Sequence, residues 1–432
     1  MISKVSDFIK HVIKIDLVKV FSLTAISTLV KMLTAFVSIK IIAIILGPSG
    51  VALIGQLNNF TSIIMALASV GINQGVTKYI SENKSSKEEV RIFISTAFKM
   101  TLFSSLFCGI NLIIFNRFLS SKILNNEEYG YVFIVFGFVI IFYALNNLLL
   151  SILNGFQHYK KFVAINIVNS LIGLVFTITL VYFWQLKGAL ISLISYQSTM
   201  FFITFWMLKK QYWVVFISFK EKLVKRVAQK YFHYTLMAIT SAATVPVSQL
   251  FIRSYVISNI SINDAGYWEG MNKLSTMYLM IITSSLGVYF LPKLAELNTN
   301  IELKKEIFKV YKIIMPILAM GLLSIYLLRH LVVSILFSVD FTPMTSLFAY
   351  QLIGDFFKIA AWLLAFNMIA KSMTKTFIAT EIISSLTFVG LALYFVNING
   401  VIGITQAYMI NYIIYLLIMV LIFKSLLFRN CN

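Results

Sequence analysis

Charge is scarce in this chain. Asp, Glu, Lys and Arg make up 12% of its 432 residues, against about 25% in soluble domains, which excludes an ordinary water-facing surface. Cysteine is nearly missing: Cys108 lies inside an apolar run and Cys431 in the tail, so no disulfide framework is available. The four histidines (His11, His158, His233 and His330) are scattered, and with these cysteines they form no metal-ligand set. Walker motifs and nucleophile constellations are also missing, so neither ATP hydrolysis nor covalent catalysis is supported, and no cofactor is called for. The loops between apolar runs are short, and none is large enough for a catalytic domain.

What remains is oil. Hydrophobic residues account for 59% of the chain, in recurring runs of about 20, the length that crosses a hydrocarbon core. The class is an all-α polytopic membrane protein. The first run is followed by many others and lacks a small-residue cleavage site, so it reads as a span and not as a signal peptide. Twelve spans are expected, at roughly 19–46, 51–80, 93–116, 130–153, 162–184 and 188–208, then 231–256, 265–292, 310–330, 345–370, 376–397 and 401–423. Residues 1–18 alternate charge with apolar anchors, as an interfacial segment does. A basic stretch, 209–230, divides an N-terminal lobe (19–208) from a C-terminal lobe (231–432).

Acids are scarcer still, 16 against 36 bases, for a net charge of +20. Such an excess can signal nucleic-acid binding, but the distribution points elsewhere. The termini and the loops after even-numbered spans hold 25 of the 36 Lys/Arg, whereas the opposite loops hold three: Arg117, Lys122 and Lys187. That bias places both termini in the cytoplasm. It absorbs most of the excess and leaves nucleic acid without a role.

The halves echo each other. "GVTKYISE" from Gly75 pairs with "GVYFLPKLAE" from Gly287 at an offset of 212; "FVAINIVNSL" from Phe162 pairs with "FIATEIISSL" from Phe377 at 215; "GALISLISYQ" from Gly188 pairs with "GVIGITQAYM" from Gly400 at 212. Six spans per copy give both copies one orientation, related by an axis along the membrane normal. Transporters built so keep their site between the halves.

Several stretches, among them "GINQGVTKYISE", "YTLMAITSAATVPVSQLFIR", "GYWEGMNKLSTMYL", "FAYQLIGDFFKIAAWL" and "TQAYMINYIIY", resemble the Wzx-type O-antigen translocases, most of all the branch that flips the enterobacterial common antigen lipid. The resemblance runs from about residue 20 to the end and includes polar positions inside spans. It implies two pseudo-symmetric six-helix lobes around a central cavity, in the superfamily that also contains multidrug extruders. It also implies transfer of an undecaprenyl-pyrophosphate-linked oligosaccharide, an O-antigen repeat unit, from the cytoplasmic to the periplasmic leaflet of the inner membrane. Membrane lipids are partners on this view, and the O-antigen polymerase and chain-length regulator are candidate ones.

Candidate site residues are the charges that the spans retain. Gln351, Asp355 and Lys358 share one face of the tenth span. Either Asp355 and Lys358 only neutralise each other, or the stripe faces a wet cavity. Glu269 and Lys273 are four apart in the eighth span, and Arg253 follows Gln249 by one turn in a span containing Pro246. Lys31 and Lys40 have no acid in their own helix. An offset of 212 carries Lys40 to Ile252, next to Arg253, so these two bases are expected to form a two-sided clamp with Lys31 deeper in the same cavity. Asp355 and Glu269 are the candidates for coupling to a cation. Seven embedded bases face three embedded acids (Glu269, Asp355 and Glu381), an excess that suits pyrophosphate better than a cationic drug. A cation-coupled drug extruder of the same superfamily is the alternative; a polymerase or ligase would need a longer periplasmic loop. The aromatic residues, 15% of the chain, are expected mainly at lipid-facing and interfacial positions.

Overall fold

Backbone amides inside a bilayer have no water to bond, so each segment pairs its own, and the helix does this alone. A computed structural model describes residues 16–217, 224–286, 290–297, 299–371 and 373–428, and its regular structure there is helical throughout. Most of the expected interfacial segment 1–18, the middle of the basic linker, the repeat position Gly287 and the last four residues lie outside the described residues.

In chain order the helices are α1 (Asp16–Ala68), α2 (Asn73–Glu82), α3 (Lys87–Ile114), α4 (Asn116–Leu124), α5 (Gly130–Gly155), α6 (Tyr159–Leu208), α7 (Lys225–Asn259), α8 (Ile262–Ser285), α9 (Leu291–Glu296), α10 (Asn300–Leu327), α11 (Arg329–Leu336), α12 (Phe348–Ala370), α13 (Thr374–Asn399), α14 (Ile402–Ile422) and α15 (Lys424–Phe428). Side-chain caps start three of the long ones. Ser86, Ser261 and Thr299 accept hydrogen bonds from the backbone N–H of Glu89, Asp264 and Glu302, pairing amides the helix itself cannot satisfy.

Eight helical stretches among the described residues are long and apolar enough to cross a membrane. Two of them, Ile26–Glu82 and Tyr159–Leu208, have 57 and 50 residues, where about 20 suffice. Each is interrupted: at Gly47 (φ 63°, ψ −170°) ahead of Pro48, and at Gln185 (φ 47°, ψ −125°). With α7 and α8, of 35 and 24 residues, the set is consistent with twelve crossings.

The break in α6 is a reversal. Thr177 Oγ1 and Ser192 Oγ are 3.1 Å apart, whereas fifteen residues of straight helix would separate them by about 22 Å. A Cβ at Gly188 would lie 1.8 Å from the Leu180 carbonyl oxygen, so no larger residue fits. The turn between α13 and α14 repeats this arrangement. Gly400 takes the left-handed conformation (φ 59°, ψ −142°), and a Cβ at Gly403 would lie 2.1 Å from the Phe395 carbonyl oxygen. Gly188 is therefore matched by Gly403, at an offset of 215, and not by Gly400 at 212. The geometry corrects the register and brings it into line with the pair Phe162 and Phe377.

The chain forms two compact units: Met1–Ile41 with Thr61–Ile239, and Ile42–Phe60 with Thr240–Asn432. The first has its core around Ile72, Phe93, Ile152, Trp213 and Tyr231, where the Tyr231 hydroxyl donates to the Phe93 carbonyl at 3.2 Å. The second has its core around Phe290, Ile307, Leu364, Tyr415 and Met419. Segment 42–60, from the end of the first expected span and the start of the second, packs within the second unit because small residues admit it. Gly55 lies against the Glu269 carboxyl group and Gly266 against the Pro48 carbonyl. Outward-facing apolar side chains such as Leu386 and Phe183 stay exposed, as a hydrocarbon solvent requires.

Candidate functional site

α12 carries Gln351, Asp355 and Lys358 on one face, and the second unit answers each charge differently. Asp355, wholly buried, accepts hydrogen bonds from three hydroxyls: Ser275 at 2.7 Å, Tyr408 at 2.8 Å, and Tyr278. Hydrogen bonds to an ionised group contribute about 1.5–3 kcal/mol each. Three of them outweigh the ~2.5–3.5 kcal/mol that a central carboxylate costs on insertion scales. Lys358 donates to the Tyr408 hydroxyl at 3.2 Å, so Tyr408 links base to acid. Its ammonium also lies 5.1, 5.6 and 5.3 Å from the ring centroids of Trp362, Tyr408 and Tyr412, a cation–π box that replaces hydration. Tyr408 reaches this position because residue 354 is glycine: a Cβ there would lie 2.5 Å from its ring. Gln351 is buried, with no hydrogen-bond partner for either side-chain polar atom.

Lys358 and Trp362 form one wall of a cavity of about 110 Å³ within the second unit. α13 contributes Glu381, α14 contributes Asn411 and Tyr412, and α8 contributes Trp268 and Asn272. Glu381 accepts from the Tyr415 hydroxyl at 3.1 Å. Tyr408, Tyr412 and Tyr415 follow a four-then-three spacing that puts them on one helical face. Tyr408 and Tyr415 are buried. This stripe is turned to the interior, against the general expectation that the aromatic residues sit mainly at lipid-facing and interfacial positions.

Beside the cavity lies a second ionic cluster. Arg253 is fully buried and donates to Glu269 through Nη2 and to Gln56 Oε1 at 3.4 Å through Nη1. Gln56 in turn donates to Ser254 Oγ at 2.5 Å. Lys273 Nζ is 3.5 Å from the other oxygen of Glu269, and the guanidinium stacks 5.3 Å from the Trp268 ring centroid. Glu269, Lys273 and Arg253 are thus brought together, and Asp355 is joined to Lys358 through Tyr408. Arg253, expected as an open half of a clamp, has its guanidinium committed to Glu269. Lys31 and Lys40 are in the first unit, on α1, one exposed and the other half-buried.

The first unit has a polar cavity of its own, about 510 Å³ and open, lined by Asn73, Gln74, Lys78, Asn154 and Asn166 among others. Asn166 is the repeat counterpart of Glu381 at the offset of 215. One copy of the scaffold bears an amide where the other bears a carboxylate.

Helices crossing a membrane around polar chambers define a multi-pass membrane protein with a transporter fold, and solved structures share that fold. An inward-facing multidrug-resistance MATE family transporter of the MOP superfamily matches with a TM-score of 0.75 at 18% identity, over 91% of this chain and 95% of that one. The lipid II flippase MurJ, in an inward closed conformation, matches with a TM-score of 0.72 at 16% identity, over 94% and 87%. At those identities the likeness concerns the fold alone. The model of the family described as "Polysaccharide biosynthesis protein" matches residues 17–298, and the chain belongs to that family. Among its relatives are the "Lipid III flippase" of Escherichia coli (strain K12), 29% identical over 392 residues, 91% of this chain and 94% of that protein. Another is the "Putative O-antigen transporter" of Salmonella typhi, 22% identical over 394 residues, 87% and 88% of the two chains.

Proposed function

We propose that this chain is a flippase that carries an undecaprenyl-pyrophosphate-linked oligosaccharide from the cytoplasmic to the periplasmic leaflet of the bacterial inner membrane by alternating access. One observation carries the reading: a polar, aromatic-walled chamber lies among the spanning helices of a chain whose family is described as "Polysaccharide biosynthesis protein" and whose relatives include a "Lipid III flippase". A membrane-embedded chamber of this kind suits a cargo with a hydrophilic head and a lipid tail. The repeated halves are the bodies that rock, and both termini are cytoplasmic. Lys31 and Lys40 serve the pyrophosphate, joined by Arg253 in a state where its pair with Glu269 opens. Asp355, or Glu269 through that opening, couples the movement to a cation. The O-antigen polymerase and chain-length regulator are the partners that would take the product.

The test is complementation. In a strain whose own flippase is deleted, the lipid-linked unit should accumulate in the cytoplasmic leaflet, and this chain should restore surface polysaccharide. Asp355→Asn should insert normally yet restore little. Accumulated precursor with no restoration by the intact chain, across strains of differing antigen, would sink the reading.

A further inference from the structure

Three residues that line the second unit's cavity each hold a buried polar atom with no protein partner: Trp268 Nε1, Asn272 Nδ2 and Asn411 Oδ1. Trp268 is 1% exposed and Asn411 4%. Buried polar atoms are nearly always satisfied, so unpaired ones on residues that line a cavity are candidates to meet a ligand's own polar atoms. Two of these groups are donors and one is an acceptor. Asn411 donates through Nδ2 to Ser384 Oγ at 3.1 Å, and Oδ1 is its unpaired atom. Glu381 adds a carboxylate with further acceptor capacity. Trp362 and Tyr412 add aromatic faces, and Lys358 stands between them in the ring box.

Three ligand classes can be weighed against that set. A phosphate or pyrophosphate would accept from Trp268, Asn272 and Lys358, but would also meet Glu381 and Asn411 Oδ1, acceptors that repel it. A lipophilic cation would favour Glu381, Asn411 Oδ1 and the rings, but would share the space with the Lys358 ammonium. A sugar hydroxyl both donates and accepts. One pyranose ring therefore satisfies the two donors and the acceptors together, with its C–H face on an aromatic ring. A single water needs about 10–15 Å³, and about 110 Å³ admits one ring but not a whole repeat unit.

We propose that this chamber is a monosaccharide subsite, which takes one neutral or N-acylated sugar of the cargo and not its pyrophosphate. The proposal rests on the flippase reading for the origin of the sugar, though not for the chemistry of the site. Trp268 and Asn411 set specificity: one donates to the ring, the other accepts from it.

The test uses the full chain purified in detergent, titrated with methyl glycosides of neutral hexoses and N-acetylhexosamines, with inorganic pyrophosphate, and with tetraphenylphosphonium. Two of the five tryptophans, Trp268 and Trp362, line the cavity, so intrinsic fluorescence reports occupancy. At least one glycoside should bind. Trp268→Phe, which keeps the ring and removes the N–H, and Asn411→Leu should each weaken it about tenfold, the loss of a hydrogen bond or two. Thermal melts and gel filtration confirm that both variants are folded. Pyrophosphate or tetraphenylphosphonium binding with the same sensitivity to these variants overturns the proposal, and so does a panel to which the intact chain is silent. Complementation separates the two ideas. Restored surface polysaccharide without glycoside binding removes the subsite alone, whereas glycoside binding without restoration removes the flippase reading and leaves the subsite.

Discussion

Arg253 shows at the scale of one residue how this protein keeps charge in oil. Its guanidinium has Glu269 and Gln56 at its edge and Trp268 on its face. Breaking a buried pair by removing one partner costs about 3–5 kcal/mol, whereas replacing both with apolar groups is often neutral. Lys273, 3.5 Å from Glu269, softens the loss towards the lower end. Arg253→Met should therefore lower the thermal midpoint more than the double variant Arg253→Met/Glu269→Met; equal losses would mean that the pair is not coupled. His158, in the turn between α5 and α6, offers a pH test. Burial first, then Lys161 and Lys84, hold its imidazole below the ordinary 6.5. The folded chain then binds fewer protons than the unfolded one, so the stability that His158 contributes is present above about 6.5 and is lost as pH falls through the lower folded value. His158→Gln should flatten the acid limb of the melting-temperature profile, and an unchanged limb would refute the shift. Some of the site could be read from sequence at this scale. Asp355 and Lys358 were visible because charge inside an apolar run is conspicuous. Tyr408, Tyr412 and Tyr415 were not, because tyrosine suits a membrane interface as well as an interior, and only their four-then-three spacing betrays a shared face. Gln56 was out of reach, since its partners lie some 200 residues away in the sequence.

At the scale of elements, the two reversals, at Gln185 and Gly400, pose a matched pair. Both take left-handed backbone conformations, yet only one is glycine. Holding a residue with a side chain there costs about 1–3 kcal/mol, against about 0.5–1 kcal/mol of added chain entropy for glycine. Gln185→Gly should thus raise the thermal midpoint without altering transport. A lower midpoint would mean that the Gln185 side chain makes up the difference. Span positions were legible, because twenty apolar residues leave few alternatives. Where two spans join through a few residues, as at Gly47 and Gln185, the sequence marks the gap (47–50 and 185–187), and the structure shows that a single non-helical backbone conformation makes the division within a nearly continuous helix. The repeat register was misread by three residues at Gly188 for a related reason: glycine and small apolar residues recur on both sides of the turn, and only the close approach to a carbonyl eight residues earlier identifies the matching position.

For the molecule as a whole, the charge bias makes a statement about sidedness. With 25 Lys/Arg on one set of loops and three on the other, a reporter fused after Phe428 should be active if it needs the cytoplasm and silent if it needs the periplasm. The opposite result would reverse the orientation or change the parity of the spans. On the expected outcome, the net charge of +20 is a topological signal instead of a binding surface.

The paired reversals also share one fixed internal length. Lys40 stands seven residues before the break at Gly47, and Arg253 seven before Ile260, the first residue beyond α7. The offset between the copies is 213 there and 215 at Gly188 and Gly403. The two copies thus differ by two residues in spacing between these points, while the eight-residue step from carbonyl to glycine is the same in both. The spacing differs between the copies in the connections and is the same at the apex. Chimaeras between relatives should therefore be cut outside 159–208 and 374–422, so that each hairpin is inherited whole.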